Sequence, residues 1–161
     1  MIQIAITIED PAWHELSVDI EIVCQQALSA AWTVVSHGDQ SAITDPWVSL
    51  LLADDDQLQA LNLQFRGQDK PTNVLSFPSS QVDTPGDAEP QILGDIAVSR
   101  QTLVREAAEQ EKDIIHHVTH LLVHGLLHLL GYDHEGDEDA TAMEKLEIDI
   151  LGEMQIPNPY D

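Results

Sequence analysis

Six of the eight histidines in this chain fall within residues 116–134, and no other segment constrains the fold as strongly. Leucines at helical spacing predict a long helix over about residues 113–130, and Gly131 ends it in the position that glycine usually takes. His124 and His128 lie four residues apart, so their imidazoles leave the same face of the helix about one turn from each other. Two ligands of one metal ion need that spacing.

A third imidazole is available beyond the helix, because His134 follows the turn and can approach the same ion from another direction. Three protein ligands and one open position are typical of catalytic zinc, whereas structural zinc sites usually have four ligands. Without a metal, three imidazoles among leucines would carry a large desolvation cost. His120 and His128 are roughly 12 Å apart along the axis and cannot share an ion. His120 therefore either lines the site or is solvated, and for His116 and His117 solvation is the simpler interpretation.

The spacing His-x3-His-x5-His is also that of zinc endopeptidases of the metzincin type. In those enzymes a glutamate follows the first histidine and acts as the general base. Gly125 occupies that position here, which disfavours a metalloprotease and leaves the general base unassigned. Asp133 precedes the third histidine and either orients a ligand imidazole or caps the turn.

The charge of the chain is strongly negative, with 29 Asp and Glu against 6 Lys and Arg and a formal net charge of -23. This excess excludes the usual nucleic-acid-binding protein and a protein that adheres to anionic membranes, since both carry basic surfaces. A hydrophobic content of 43% is enough for a packed core. Cys24 is the single cysteine, so no internal disulfide can form, and no apolar run approaches the length of a membrane span. We expect a soluble, cytoplasmic protein with no membrane partner.

Basic residues are scarce, so the place of each is informative. Arg66 and Lys70 lie four residues apart in a polar, irregular segment. An exposed loop arginine is usually only solvated, but a guanidinium beside a metal site would hold a phosphate bidentately and offset charge in the transition state. Phe77 either stacks on a base in the same cleft or packs in the core.

Three segments of the chain resemble one known family, and they occur in the family's order. They are residues 62–78 (NLQFRGQDKPTNVLSFP), residues 93–96 (LGDI) and residues 124–134 (HGLLHLLGYDH). In these segments the chain is similar to the YbeY endoribonucleases, metal-dependent proteins that act in bacterial ribosomal RNA maturation. The resemblance implies a mixed fold of helices and strands with a small sheet.

The same resemblance implies roles for individual residues. One Zn2+ ion, or another divalent transition metal, is implied on His124, His128 and His134, and Arg66 corresponds to the functionally important arginine of the family. The implied substrate is single-stranded RNA, above all near the 3′ end of 16S ribosomal RNA in the small subunit. A role in ribosome quality control is also implied, with the ribosome or ribosomal proteins as partners.

Local sequence patterns predict the elements of such a fold. Alternating and short apolar runs predict strands, and helical spacing with capping residues predicts helices. The predicted strands are at about 2–8, 47–53, 74–77 and 92–98, and the predicted helices at about 11–35, 55–65, 100–111, 113–130 and 138–153. We expect one α+β domain over residues 1–161, with a small mixed β-sheet packed with about five helices. The metal site lies on the long helix and the following turn, and residues 79–91 form an exposed loop.

Two other functions remain alternatives at this point. The chain could be a non-catalytic ribosome-assembly factor that binds protein partners while its metal only stabilises the fold. A metalloprotease is the less favoured alternative because of Gly125. The identity of the metal and the oligomeric state stay open.

Overall fold

A four-stranded mixed sheet forms the centre of the fold in the computed structural model of the protein, which describes residues 1–17, 19–38, 45–79, 91–133 and 135–161. The strands are β1 (Gln3–Ile8), β2 (Trp47–Ala53), β3 (Val74–Pro78) and β4 (Ile92–Ser99). Their order is β1-β2-β4-β3, so β3 lies at one edge of the sheet. β1, β2 and β4 are parallel, whereas β3 is antiparallel to β4.

Helices cover both faces of this sheet, and the predicted α+β fold class is confirmed. In the ranges that the structure describes there are six: α1 (Trp13–Leu16), α2 (Ile20–Gly38), α3 (Asp55–Arg66), α4 (Arg100–Glu109), α5 (Ile114–Leu129) and α6 (Asp137–Glu153). Side chains cap the first turns of α3 and α4, because Asp54 accepts the backbone N–H of Gln57 and Ser99 accepts that of Thr102. Most of the predicted loop, residues 80–90, lies outside the described residues.

The single helix predicted over residues 11–35 is wrong, because the chain forms α1 and α2 instead. Ser17, which follows α1, is extended, with φ of -162° and ψ of 136°. Its hydroxyl accepts the backbone N–H of Asp19 at 3.2 Å. Such a bond from side chain to backbone competes with helix continuation, so it ends one helix and begins the next.

The main core lies between the sheet and α2, α5 and α6. Leu28 of α2, Leu122 and Leu126 of α5 and Ile150 of α6 are fully buried in it. Burial of such a side chain contributes about 1.5–3 kcal/mol, so the leucine face of α5 holds that helix firmly in place. On the other face of the sheet, α3 packs through a smaller cluster made of Ala53, Leu58, Leu75 and Ala97.

Gly94 allows β3, β4 and the end of α5 to approach one another closely. Its φ is 147°, and a Cβ atom at this position would lie 2.3 Å from the carbonyl oxygen of Phe77 and 2.8 Å from Cδ2 of Leu129. Only glycine fits such a backbone and such a space. The last turn of α5, which carries His128, is therefore held beside the edge strand.

Candidate metal centre

α5 carries two of the predicted ligands on the face that points away from the core. Asp113 caps the helix by accepting backbone N–H groups of its first turn, as charge at a helix N-terminus favours. His124 and His128 are half-buried, while Leu126 between them is fully buried. The helix ends at Leu129, shortly before Gly131 as predicted, and the φ of 98° at Gly131 is one that only glycine adopts readily.

His124 and His128 bring two ring nitrogens together. Nε2 of His128 lies 3.1 Å from Nε2 of His124. Two nitrogens that bind one tetrahedral zinc ion at about 2.0–2.1 Å lie roughly 3.3 Å apart, so this pair fits such an ion. His134 lies outside the described residues, and its part as the third ligand stays a prediction.

A buried carboxylate holds the other side of the His124 ring. Glu147 of α6 has no exposed surface, and its Oε1 lies 3.0 Å from Nδ1 of His124. Its Oε2 contacts Nε2 of His120 and accepts the Tyr160 hydroxyl at 2.8 Å. Burial opposes ionisation of this carboxyl, but the hydrogen bonds from His120 and His124 outweigh it and lower the pKa of Glu147 to about 2. The carboxylate is therefore ionised at neutral pH.

An ionised Glu147 sets the tautomer of His124. The ring donates from Nδ1 to the carboxylate, which leaves the lone pair on Nε2, the atom that lies beside His128. A carboxylate behind a ligand imidazole is the usual partner of metal-binding histidines, because it fixes the ring and raises its basicity. Glu147 thus orients His124 toward the predicted metal position.

His120, His124 and Glu147 also form a group that could itself hold a metal ion, since one ligand atom from each lies within 4.8 Å of the others. His124 belongs to both arrangements, through Nδ1 to Glu147 and through Nε2 to His128. His120 and His124 both line a cavity beside Tyr160, which is separate from the cavity that His124 and His128 line together.

The sequence prediction missed Glu147, although a signal for it exists. Glu147 lies four residues after Met143 and three before Ile150, so a helical period puts its charge on the same side of the last helix as these apolar residues. A buried charge requires partners. The local pattern does not identify the partner of Glu147, because His124 lies 23 residues away in the chain.

A second imidazole–carboxylate pair lies about two helical turns before His124 on α5. His117 is 5% exposed, and its Nε2 lies 3.0 Å from Oε1 of Glu106, which also accepts a hydrogen bond from Asn73. The prediction that His117 is solvated is therefore wrong. Burial lowers the pKa of His117, and Glu106 offsets part of that effect. His116 is half-buried and lines a separate cavity beside the C-terminal tail.

Arg66 shares a cleft with the histidine pair. The cleft measures about 360 Å³ and is lined by Arg66, Val74, Leu75, Ser76, Pro78, His124 and His128. α3 ends at Arg66 because Gly67 adopts a left-handed conformation with φ of 71°. Nη2 of Arg66 then donates to the carbonyl oxygen of Ser76 at 2.8 Å, which lays the side chain along the edge strand. The structure thus places three of the four predicted site residues around one volume.

Close packing explains why a glycine occupies position 125. A Cβ atom there would lie 3.2 Å from Cγ2 of Ile96 and 3.2 Å from Oγ of Ser76, and that hydroxyl donates to the Gly125 carbonyl oxygen at 3.0 Å. Position 125 faces the sheet at close range, so a glutamate base of the metzincin kind has no room.

Asp133 has the turn-capping role, one of the two alternatives predicted for it, because it accepts the backbone N–H of Glu135 at 3.1 Å.

Comparison with known proteins shows the family of the chain. The family model described as Endoribonuclease YbeY matches residues 8–155. The chain belongs to the YbeY endoribonuclease family. The predicted family and the predicted enzyme class, a hydrolase acting on RNA, are thereby confirmed at the level of the family.

Several relatives named Endoribonuclease YbeY are similar over nearly the whole chain. The relative from Rhodospirillum rubrum is 46% identical over 166 residues, covering 99% of this chain and 82% of its own length. That from Allorhizobium ampelinum is 44% identical over 160 residues, with 99% and 95% covered. Among solved structures, the solution structure of TM1509 from Thermotoga maritima superposes with a TM-score of 0.53 at 27% identity, covering 96% of this chain and 92% of that one.

Among the described residues, no helix combines the length and the hydropathy that crossing a bilayer requires.

Proposed function

We propose that this protein is a metal-dependent endoribonuclease that cuts single-stranded RNA. One observation carries the proposal: Arg66, His124 and His128 line the same cleft, so a guanidinium and a metal-binding pair of imidazoles face one volume. The reaction class is supported by membership of a family named for endoribonuclease activity. Residues 1–161 act as one domain in this proposal.

The proposed ion is one Zn2+, held by His124, His128 and His134. Three imidazoles suit zinc, and they also accept nickel, copper or iron. When bound, the ion supplies Lewis-acid stabilisation of charge on a phosphoryl oxygen. The contribution of the chain is to hold the ligands in place. Glu147 fixes the ring of His124, and the buried leucine face of α5 fixes the helix that carries both described ligands.

Arg66 binds the phosphate of the substrate in this proposal. Its hydrogen bond to Ser76 uses one of the five N–H donors of the guanidinium. The other donors match the oxygens of a phosphate in a bidentate arrangement. Because the cleft also contains His124 and His128, a phosphate bound there lies beside the ion and Arg66 stabilises the charge that develops during cleavage.

The proposed physiological substrate is ribosomal RNA near the 3′ end of the 16S molecule, in the cytoplasm, with a role in ribosome quality control. The three family segments described above support this assignment. The net charge of -23 adds a physical reason for a partner, because the overall field of the protein repels RNA. The ribosome or a ribosomal protein would therefore deliver the substrate.

Cleavage of a defined RNA tests the proposal. Zinc-loaded protein should cut a single-stranded RNA and leave the same RNA intact when it is annealed to its complement. Arg66→Gln should lower kcat/KM by about 10²–10³-fold, the usual loss of one donor to transition-state charge. His128→Asn should abolish cutting. Equal activity of both variants and the wild type would contradict the assigned site.

Two matched variants control for general damage. Arg105→Gln changes an arginine that faces Asp55, with 3.8 Å between Nη1 and the carboxylate, outside the cleft. His116→Asn changes a histidine of the same helix that lines another cavity. Both should keep the activity of the wild type.

Removal of the ion distinguishes an enzyme from an assembly factor with a structural metal. The main core is built from buried apolar side chains, so the fold should survive treatment with a chelator while cutting is lost. Circular dichroism and the cleavage assay on the same sample measure both. Unfolding on chelation would instead favour the structural role, and RNA binding without cutting would favour the assembly factor.

A further inference from the structure

The two phenylalanines of the chain lie against each other at the edge of the sheet. Phe65 is in the last turn of α3 and Phe77 is in β3, with ring centroids 5.0 Å apart and planes inclined by 54°. Phe77 is half-buried and packs on the small cluster beneath α3, which is the core role among its two predicted alternatives. Phe65 is 55% exposed. The pair therefore consists of an anchored ring and an exposed one.

Arg66 connects this aromatic pair to the cleft. Its guanidinium carbon lies 5.5 Å from the centre of the Phe77 ring, and its Nη2 donates to Ser76 on the same strand. The same side chain lines the cleft that contains His124 and His128. Phe77 contacts both Arg66 and Phe65. The exposed ring of Phe65 therefore lies near the guanidinium that is proposed to bind phosphate.

We propose that Phe65 is a base-stacking subsite, on which a nucleobase next to the phosphate held by Arg66 stacks. This inference rests on the proposed function. Aromatic side chains bind unpaired bases by stacking, and the contact tolerates any sequence because every base has a π-face. In a duplex both faces of a base are covered by its neighbours, so a stacking subsite favours single strands. Phe65 is therefore a specificity-determining residue for unpaired RNA.

The position of Phe65 suits this role better than a role in folding. A ring that is more than half exposed adds little to the core, whereas Phe77 beneath it limits the orientations that it can adopt. Leu63 offers a comparison on the same helix, since it is 50% exposed but lies two residues earlier and so does not share the face of Phe65. Leu63 therefore serves as a control for the loss of an exposed apolar side chain elsewhere on the same helix.

Substitution at this position, with a matched control, tests the inference. Phe65→Ala should weaken binding of a non-cleavable 2′-O-methyl RNA and raise KM by about 5- to 150-fold, equivalent to ~1–3 kcal/mol per stacked base, with little change in kcat. Phe65→Leu should lose nearly as much, because it keeps the hydrophobic surface but not the ring. Phe65→Trp should bind at least as well as the wild type, and Leu63→Ala should be unchanged.

An abasic scan identifies the base itself. In a series of RNAs that each lack one base, a single position should reproduce the loss seen in Phe65→Ala, and the variant should show no further loss with that RNA. Thermal unfolding should be nearly the same for all four variants, which separates lost stacking from lost folding.

The failure of this inference differs from the failure of the proposed function. If the wild type cuts RNA in an Arg66-dependent way but Phe65→Ala binds equally well, stacking is refuted and the endoribonuclease stands. Full rescue by Phe65→Leu would refute stacking in favour of a plain apolar contact, and an equal loss in Leu63→Ala would refute it in favour of a general effect on α3. If the wild type neither binds nor cuts RNA, both proposals fail.

Discussion

Glu147→Gln should weaken metal binding although Glu147 itself need not touch the ion. The fully buried carboxylate accepts hydrogen bonds from His120, His124 and Tyr160, and its pKa of about 2 keeps it ionised at neutral pH. Glutamine has nearly the shape of glutamate, but an NH₂ group replaces one carboxylate oxygen. This NH₂ group then faces a hydrogen-bond donor and cannot accept from it. The ring of His124 then loses a charged partner, and zinc affinity should fall by about 10–100-fold.

The stability of the folded protein should fall as well, and the two effects need separate measurements. One buried donor left without an acceptor costs about 1–3 kcal/mol of the free energy of unfolding. Zinc affinity is measured by competition with a chromogenic chelator well below the melting temperature, so that lost stability does not imitate lost affinity. Urea denaturation of the metal-free protein measures the stability term.

Glu106→Gln is the matched control for this prediction. Glu106 pairs with His117 of the same helix at 3.0 Å, so the substitution changes an imidazole–carboxylate pair of the same kind. His117 is not a predicted ligand, and zinc affinity should therefore be unchanged. Equal zinc affinity of Glu147→Gln and the wild type would refute the orienting role, and an equal loss in both variants would show a general effect on α5.

Two further predictions concern stability. Gly94→Ala should lower the free energy of unfolding by about 3 kcal/mol or more, because the new Cβ atom would lie 2.3 Å from the Phe77 carbonyl oxygen and because φ is strained for alanine. Gly152→Ala is the control, since Gly152 lies in open space within α6. This variant should be neutral or stabilising in the same urea titration. The hydrogen bond from Arg100 holds the pKa of Asp10 below its usual value, so the stability that this pair contributes is present above about pH 4 and is lost as the pH falls further. Melting curves of Asp10→Asn and the wild type should therefore converge at low pH, and curves that stay parallel would contradict this.

Much of the site could be predicted because its determinants are local. The spacing of His124 and His128 and the glycine after the helix are properties of one continuous segment, and a helical period converts them directly into geometry. The same is true of Asp54, Ser99 and the strand segments, whose capping and alternation involve only neighbouring residues.

The rest of the site depends on contacts between distant segments. Glu147 reaches His124 only because α6 packs beside α5, and no local pattern specifies that pairing. The antiparallel placement of β3 at the sheet edge likewise depends on the crossover of the chain, yet it sets where Arg66 lies relative to the histidines. The break at Ser17 is a different case, because the competing hydrogen bond is local and the serine is visible in the sequence.

The three arginines of this acidic chain have different partners, which bears on where a phosphate can bind. Arg100 is bound to Asp10 at 2.7 Å, and Arg105 faces Asp55. Arg66 lies in the cleft with the histidine pair, and its side-chain hydrogen bond is to a neutral carbonyl group. Two of the three arginines are therefore paired with carboxylates, and the third lies in the cleft with the histidine pair, in a chain with a net charge of -23.

The dependence of RNA binding on salt tests this arrangement. For single strands, the logarithm of the binding constant falls with the logarithm of the salt concentration with a slope of about -0.7 for each neutralised phosphate. Arg66 and one metal ion provide about two such contacts, so a slope of roughly -1.4 is expected for a 2′-O-methyl RNA in fluorescence anisotropy titrations. Arg66→Gln should reduce it to about -0.7, whereas Arg105→Gln should leave it unchanged. A slope of about -3 or steeper, or no change in Arg66→Gln, would mean that RNA is held by other basic residues, the lysines included, instead of by Arg66 and the ion.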